Sequence, residues 1–247
     1  MKIIACYSNK GGVGKTATSV NLAHALALAG KRTLLCDLDP QGASGFYYRV
    51  KPSKKLQHDA FFKDVDKFTK SIRGSDFELL DILPANMTYR DFDIFLSRMK
   101  NSRSRLKKAL KAVKNEYDVV LLDCPPNIST LSESVFKSAD HIVVPVIPTT
   151  LTERTYEQLL QFFDRHKLGK KKLIPFFSMV QRQKNLHTET MERMRKKYKK
   201  SFLKASVPFS TDVEKMGIHR APVLDFARNR PAAKAYCAMW DELQQRI

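Results

Sequence analysis

A glycine-rich segment, Asn9 to Thr16, constrains the fold of this chain more than any other part of the sequence. It follows a short apolar run, Ile3 to Tyr7, and it opens a stretch from Thr16 to Ala29 whose apolar residues recur at helical spacing. This order predicts a buried strand, a tight turn and a helix. Glycines allow backbone N–H groups to turn inward on an anion, and the helix offers its positive amino end. The segment therefore predicts a phosphate-binding loop.

Two residues at the end of this loop carry the predicted chemistry. Lys15 is placed to reach the β- and γ-phosphates of a bound nucleotide, and the Thr16 hydroxyl is placed to ligate Mg²⁺. The strict pattern for such loops has glycine where this chain has Asn9. A second lysine, Lys10, lies inside the loop, so the departure from the strict pattern comes with an added positive charge.

The run Lys10-Gly11-Gly12-Val13-Gly14-Lys15-Thr16 resembles the deviant Walker A motif of the ParA/MinD family of ATPases. Two more motifs follow in the family's order, Asp37-Leu38-Asp39-Pro40-Gln41-Gly42 and Leu121-Leu122-Asp123-Cys124-Pro125-Pro126. The stretch from Ser132 to Ala139 extends the likeness. The resemblance is strong as far as Thr150 and looser beyond it. It implies an ATPase that uses ATP and Mg²⁺.

The alternation of apolar runs along the chain predicts the architecture. Strand-like runs recur at Thr33 to Cys36, Glu78 to Leu83, Asp118 to Leu122, His141 to Ile147 and Lys172 to Met179. Helical stretches lie between them, short helices are expected within residues 46–76, and the last third adds a basic helix at Leu186 to Lys200, a strand at Phe202 to Ser206, a loop around Pro208 and a helix at Ala232 to Arg246. This order predicts a doubly wound α/β fold with a mostly parallel sheet flanked by helices. With the resemblance, it predicts one P-loop domain over residues 1–247.

The resemblance also implies a role for each motif residue. Asp123 fits the Walker B carboxylate that holds Mg²⁺ through water, together with Thr16. Asp39 fits the carboxylate that orients or activates the attacking water, and Asp37 lies beside it on the nucleotide side. The residues expected to bind nucleotide are Lys10, Gly11, Gly12, Val13, Gly14, Lys15, Thr16, Ala17 and Asp37, with Met179 and Pro208 at the adenine pocket.

Lys10 has a separate role in the family that the loop resembles. There this lysine reaches across a nucleotide-sandwich dimer to the phosphates held by the partner. The resemblance therefore implies an ATP-dependent homodimer, with Lys10, Lys15 and Asp39 as the residues of catalysis. An adaptor, ParB-like or of another kind, would stimulate hydrolysis. The cargo would be a plasmid or chromosome locus, or a protein organelle such as a carboxysome.

The charge balance points to a polyanionic partner. Lys and Arg number 44 against 25 Asp and Glu, a formal net charge of +19, which favours nucleic acid or an anionic membrane surface. Basic residues are concentrated at Arg98 to Lys114, which has no acidic residue, and at Arg165 to Lys204. On the helix expected at Leu186 to Lys200, an inward stripe is formed by Leu186, Thr190, Met191, Met194 and Tyr198. The opposite face is expected to be free and to bind duplex DNA phosphates without sequence preference, through Arg193, Arg195, Lys196, Lys199 and Lys200.

Two alternatives stay open at this point. A MinD-like positioning ATPase would bind a membrane surface through an amphipathic terminal helix. The helix at Ala232 to Arg246 lacks the lysine-rich polar face of such helices, so Tyr236, Met239, Trp240 and Leu243 are expected to pack into the core and no membrane partner is expected. The second alternative is a DNA-associated nucleotide switch with negligible turnover. No apolar run is long enough to span a bilayer, and the expected location is cytoplasmic and nucleoid-associated.

Overall fold

The apolar runs of the sequence pair into one eight-stranded sheet. The computed structural model describes residues 1–247 apart from the side chain of Lys200. The strands in chain order are β1 (Lys2–Cys6), β2 (Thr33–Asp37), β3 (Arg73–Gly74), β4 (Leu80–Leu83), β5 (Val119–Asp123), β6 (His141–Val146), β7 (Leu173–Val180) and β8 (Ser206–Pro208). Their order across the sheet is β3-β4-β2-β5-β1-β6-β7-β8. The edge strand β3 is antiparallel to β4 and the other pairings are parallel, which confirms the predicted fold class.

Helices cover both faces of the sheet. They are α1 (Lys15–Leu28), α2 (Ala43–Tyr47), α3 (His58–Lys63), α4 (Val65–Thr69), α5 (Phe92–Ser97), α6 (Ser102–Leu110), α7 (Thr130–Ser138), α8 (Thr150–Arg165), α9 (Asn185–Tyr198), α10 (Thr211–Glu214), α11 (Met216–His219), α12 (Val223–Phe226) and α13 (Pro231–Leu243). Along β1, Ile3 and Ala5 pack into the core under α6, α7 and α8, whereas Ile4 packs into the core under α1 and α13. A strand buried on both faces reads as a continuous apolar run, and this explains the pattern in the sequence.

One strand was predicted in the wrong place. The last strand is β8, so Pro208 ends a strand and is not in a loop, while Phe202 and Leu203 lie before it. Both are buried for another reason: the Phe202 ring stacks on Phe177 at 4.4 Å, and the Leu203 N–H donates to the Pro175 carbonyl at 2.9 Å. The apolar residues therefore correctly predicted that Phe202 and Leu203 are buried, but wrongly predicted that they belong to a strand. Proline is tolerated at the end of this edge strand because its missing N–H is not needed by a further neighbour.

The terminal helix α13 packs into the core, as predicted. Tyr236, Met239, Trp240 and Leu243 are all buried, in the same core as the apolar residues of α1. The apolar face of α13 is therefore already covered by the protein itself. Across the described part of the chain, no helix combines the length and the apolar character that a membrane span requires.

Candidate nucleotide-binding site

The glycine-rich loop lies at the carboxyl edge of the parallel strands. It follows β1, whose connection leads toward β2 on one side of the sheet, whereas the connection of β6 leads toward β7 on the other. The connections from the neighbouring strands β1 and β6 thus lead to opposite halves of the sheet. In doubly wound proteins, ligands bind in the crevice at such a point, beyond the carboxyl ends of the strands. The fold therefore places the loop where a nucleotide is expected.

The loop backbone depends on two glycines in left-handed conformation. Gly12 has φ 68°, and Gly14, which caps the amino end of α1, has φ 88°. A Cβ on Gly14 would lie 3.1 Å from the Ser178 Oγ. That hydroxyl is buried and donates to the Val13 carbonyl at 2.9 Å. A residue of β7 thus holds the loop backbone in place through a hydrogen bond. Nothing in the motif singled out Ser178; a polar residue within the apolar β7 run was the available signal.

This geometry predicts a functional cost for Gly14→Ala. Left-handed backbone costs an alanine about 1–2 kcal/mol, and the new methyl group must also displace Ser178. Gly30→Ala is the matched control, because Gly30 has φ 77° with nothing within 4 Å of its added Cβ. We expect both variants to lose stability in urea unfolding, and only Gly14→Ala to lose nucleotide affinity in titrations. Equal nucleotide affinity of the two variants would show that the Ser178 contact does not shape the loop.

The two loop lysines point to different places. Lys15 is buried and its Nζ donates to the Lys10 carbonyl at 3.1 Å, so its ammonium stays within the loop. The Lys10 Nζ instead donates to the Thr152 Oγ1 at 3.3 Å, in the first turn of α8. Thr152 is itself held by the capping residue Thr149, whose hydroxyl lies 3.0 Å from its own. One lysine thus lines the loop, while the other reaches out of it to a neighbouring helix.

Two aspartates end neighbouring strands beside the loop. Asp37 and Asp123 are register partners at the carboxyl ends of β2 and β5, and both are buried. Asp123 accepts hydrogen bonds from the Ser19 Oγ at 3.0 Å and from the Ser44 Oγ at 2.8 Å. Burial raises the pKa of both carboxyls; the charge of Asp123 raises the pKa of Asp37 further, and the hydroxyl hydrogen bonds oppose the rise at Asp123.

This donor set fits Mg²⁺. The carboxylates and the hydroxyls of Thr16, Ser19 and Ser44 are hard oxygen donors, and a divalent cation would offset the charge that burial disfavours. Within the described residues no three His, Cys, Asp or Glu side chains converge into a ready-made metal cage. Mg²⁺ typically binds through one or two carboxylates together with substrate phosphates and waters.

Asp39 lies on the turn after β2, and Asp37 holds that turn. The Asp39 N–H donates to the Asp37 Oδ1 at 3.0 Å, and the Ser44 N–H donates to the Asp37 Oδ2 at 3.1 Å. The half-buried Asp39 carboxylate accepts the Gln41 N–H at 3.0 Å. Both carboxylate oxygens of Asp37 therefore accept backbone hydrogen bonds. Through these bonds Asp37 positions the turn that carries Asp39.

The residues expected at the adenine pocket lie in two places. Met179 has φ 53°. Its Cε lies close to the glycine loop, 3.5 Å from the point that a Cβ on Gly14 would occupy. Pro208 lines a cavity of about 530 Å³ together with Arg182, Gln183 and Phe209. Met179 therefore borders the glycine loop, and Pro208 borders the neighbouring cavity.

The basic helix differs from its prediction in three ways. It ends at Tyr198 and not at Lys200, so Lys199 and Lys200 lie beyond it in a short 3-10 turn and are not on its basic face. Leu186 is 51% exposed and does not belong to the inward stripe; His187 is buried in its place, where its Nδ1 accepts the Gln181 N–H at 3.1 Å. The basic face is also not wholly free. Its arginines have partners: the Arg193 Nη2 lies 2.7 Å from the Glu153 Oε2, and the Arg195 Nη2 donates to the Lys204 carbonyl at 3.0 Å. Lys196 and Lys199 are exposed and have no acidic partner among the described residues, and the Lys200 side chain lies outside them.

Comparison with known proteins agrees with this geometry. Residues 1–176 match the model of a family described as an AAA domain. The chain is 31% identical over 251 residues to the sporulation initiation inhibitor protein Soj of Bacillus subtilis, covering 98% of each. It is 28% identical over 250 residues to the chromosome partitioning protein ParA of Myxococcus xanthus, covering 98% of this chain and 88% of that one.

A solved structure shows the same fold over nearly the whole chain. Cobyrinic acid a,c-diamide synthase from Mycobacterium smegmatis, with a bound ATP analog and magnesium, has a TM-score of 0.82 at 25% identity and covers 99% of this chain and 94% of that one. The two-lysine loop, the paired strand-end aspartates and the matches to Soj and ParA lead to one assignment. The chain belongs to the ParA/MinD family of P-loop ATPases.

Proposed function

We propose that this chain is a positioning ATPase that binds ATP with Mg²⁺, dimerises in that state, and then coats duplex DNA without sequence preference until hydrolysis releases it. The observation that carries the proposal is the pair of lysines in one glycine loop, Lys15 within the loop and Lys10 reaching out to Thr152. The similarity to the chromosome partitioning protein ParA of Myxococcus xanthus supports a role in partition or positioning.

The nucleotide half of the proposal assigns a role to each motif residue. Lys15 and the backbone N–H groups from Gly11 to Thr16 hold the phosphates. Thr16, and Asp123 through water, would hold Mg²⁺, which would supply positive charge to offset that of the phosphates. Asp39 orients the attacking water from the turn that Asp37 fastens. Ala17, Met179 and Pro208 complete the nucleotide pocket, and residues 1–247 act as one domain.

The dimer half depends on Lys10. In the ATP-bound sandwich its ammonium leaves Thr152 and neutralises phosphates held by the second copy. Because the phosphates held by one copy are neutralised in part by Lys10 of the other copy, dimerisation depends on bound ATP. A ParB-like or other adaptor stimulates hydrolysis, and the cargo is a plasmid or chromosome locus or a protein organelle. The ATP form is nucleoid-associated.

The DNA half depends on charge. Dimerisation doubles a surface that already has a large positive excess, and weak phosphate contacts multiply when two faces lie along one duplex. Lys196 on α9 and Lys199 just after it are exposed without acidic partners among the described residues, whereas Glu153 neutralises part of the charge of Arg193. Arg195 and Lys200 belong to the same proposed surface. The affinity comes from phosphate contacts and the release of counterions.

This proposal predicts ATP-dependent and salt-dependent DNA binding. With about six phosphate contacts, the log–log slope of affinity against salt is near −5. Fluorescence anisotropy with a random-sequence duplex, with ATP or ADP and across a salt series, measures it, and phosphate release with and without DNA reports turnover. Lys196→Glu with Lys199→Glu should weaken binding at unchanged nucleotide affinity.

Three outcomes would contradict parts of the proposal. Phosphate release at background in every condition would favour the nucleotide switch. Retention on anionic vesicles without retention on DNA would favour the MinD-like alternative. Equal DNA binding with ATP and with ADP would remove the proposed link between dimerisation and DNA.

A further inference from the structure

A cleft of about 500 Å³ lies at the amino edge of the sheet, opposite the glycine loop. It borders His141 and Leu173, the residues that begin β6 and β7. Its cations come from three separate parts of the chain, and none of its lining residues is acidic. The cationic residues are Lys170, Lys171, Lys197, Lys199 and Arg246. The nucleotide site therefore does not account for this charge.

The charges of the cleft are only partly neutralised by the protein itself. Lys170 pairs with Asp164 at 2.6 Å, and Lys197 pairs with Glu157. Lys171 and Lys199 are exposed and have no ion pair among the described residues. A cleft that is lined by both paired and unpaired cations and by no acidic residue retains net positive charge for a ligand.

The backbone that presents the unpaired lysines is held in place. Beside Lys171, the Lys172 Nζ donates to the carbonyls of Phe136 and Ala139 at 2.7 and 2.9 Å, which ties this turn to the end of α7. Lys199 has φ 47° and ψ −125°, a conformation that is unfavourable for a residue with a side chain. The Arg246 guanidinium donates to the carbonyls of Ser201 and Phe202. Hydrogen bonds from Lys172 and Arg246 therefore hold the backbone next to Lys171 and the segment that follows Lys199.

The exposure of these cations indicates the kind of ligand. A small polyphosphate is held most strongly where cations surround it out of water, and every cation that lines this cleft is exposed. A nucleic-acid backbone presents successive single charges along an open surface and needs no enclosed pocket.

We propose that the amino-edge cleft binds phosphates of a DNA duplex, with Lys171 and Lys199 as its unpaired contacts and Lys170 beside them. This inference rests on the proposed function and specifies where its DNA partner binds. It moves the centre of the DNA surface from the outer face of α9 to the edge of the sheet and adds residues that the helical pattern did not indicate. Because the cleft and the glycine loop lie at opposite edges, DNA and nucleotide bind without competing for the same surface.

The test is a charge reversal at the cleft with a matched reversal elsewhere. Lys170→Glu with Lys171→Glu changes the cleft, and Lys54→Glu with Lys55→Glu makes the same change at two exposed lysines that line a different cavity. Anisotropy with a random-sequence duplex and ATP should show at least a tenfold loss of affinity for the cleft variant. Its salt slope should be shallower by about 0.9, since the loss of the Lys171 phosphate contact removes about 0.9. The control should remain within about threefold of wild type, as expected for long-range charge alone.

Nucleotide titration and ATP-dependent sizing of both variants should match wild type, and Lys171→Gln should give a smaller loss in the same direction. Wild-type protein that fails to bind DNA with ATP would reject the DNA part of the proposed function itself. Wild-type binding with an unchanged cleft variant, or with equal losses in cleft and control variants, would overturn the cleft assignment alone. A cleft variant that loses retention on phosphatidylserine vesicles but keeps DNA binding would assign the cleft to a membrane surface.

Discussion

Lys15→Ala should lose nucleotide binding, with a fall in affinity of at least about 100-fold. The ammonium lies inside the loop, where it hydrogen-bonds only to the Lys10 carbonyl, and a bound phosphate would replace that neutral acceptor. Hydrogen bonds to charged groups contribute roughly 1.5–3 kcal/mol each, so the loss of a lysine that contacts two phosphates removes about 3 kcal/mol or more. Titration with a fluorescent ATP analogue in the presence of Mg²⁺ measures the effect.

Lys10→Ala should differ from Lys15→Ala in the same titration, because it should keep nucleotide binding. Its ammonium reaches α8 and does not line its own loop, so we expect nucleotide binding within about threefold of wild type and no ATP-dependent dimer on sizing chromatography. Thr152→Ala is the matched control, because it removes the hydrogen bond of Lys10 and keeps the lysine. This variant should still dimerise. A dimer formed by Lys10→Ala would reject the assignment of Lys10 to the partner's phosphates, and full nucleotide binding by Lys15→Ala would reject the site.

The parts of the site that could be read from the sequence are those encoded by contiguous residues. The loop is a single run with a strand before it and a helix after it, and its conformation follows from its glycines. Asp37 and Asp123 each end an apolar run, and parallel register then brings them side by side. Local pattern and one rule of sheet geometry were sufficient here, because no distant residue decides where these groups lie.

The residues that hold the site could not be read in this way. Ser44 and Ser19 donate to Asp123 across 79 and 104 residues of sequence, and Ser178 donates to Val13 across 165. A serine hydroxyl carries no periodic signal, and its role exists only after the sheet has brought its strand or helix to the loop. The same applies to Thr152, whose contact with Lys10 depends on the position of the first turn of α8.

The incorrect predictions share one cause. Hydrophobic pattern indicates which residues are buried and does not indicate what covers them. Phe202 is buried by ring stacking on Phe177 and not by strand pairing, and Leu186 keeps helical spacing at the first turn of α9, where no neighbour covers it. Likewise, the basic face of α9 was expected to be free because it lies opposite the inward apolar stripe, and the helical pattern could not show that Glu153 of α8 pairs with Arg193.

The second large effect is expected at Asp39, where substitution should abolish turnover and leave binding intact. The carboxylate lies on the turn beyond the buried pair, where it accepts the Gln41 N–H, and its charge acts on the pKa of Asp123 without a hydrogen bond between them. A group that orients or activates the attacking nucleophile contributes roughly 10²–10⁴-fold to rate. Asp39→Ala should therefore release phosphate at least about 100-fold more slowly than wild type, while its ATP affinity stays near normal.

Asp39→Asn distinguishes the charge of this residue from its structural role. The Asp39 Oδ1 accepts the Gln41 N–H, and an asparagine keeps that acceptor and therefore the turn, whereas alanine loses both the acceptor and the charge. If the charge acts on water, Asn and Ala should be equally inactive in phosphate release, and both should remain as ATP dimers that stay on DNA long after free ATP is removed. Wild-type turnover in Asp39→Asn would show that another group orients the water and that Asp39 shapes the turn. Loss of ATP binding in both variants would place the carboxylate at the nucleotide, because a group that acts only on the water cannot change the affinity of the ground state.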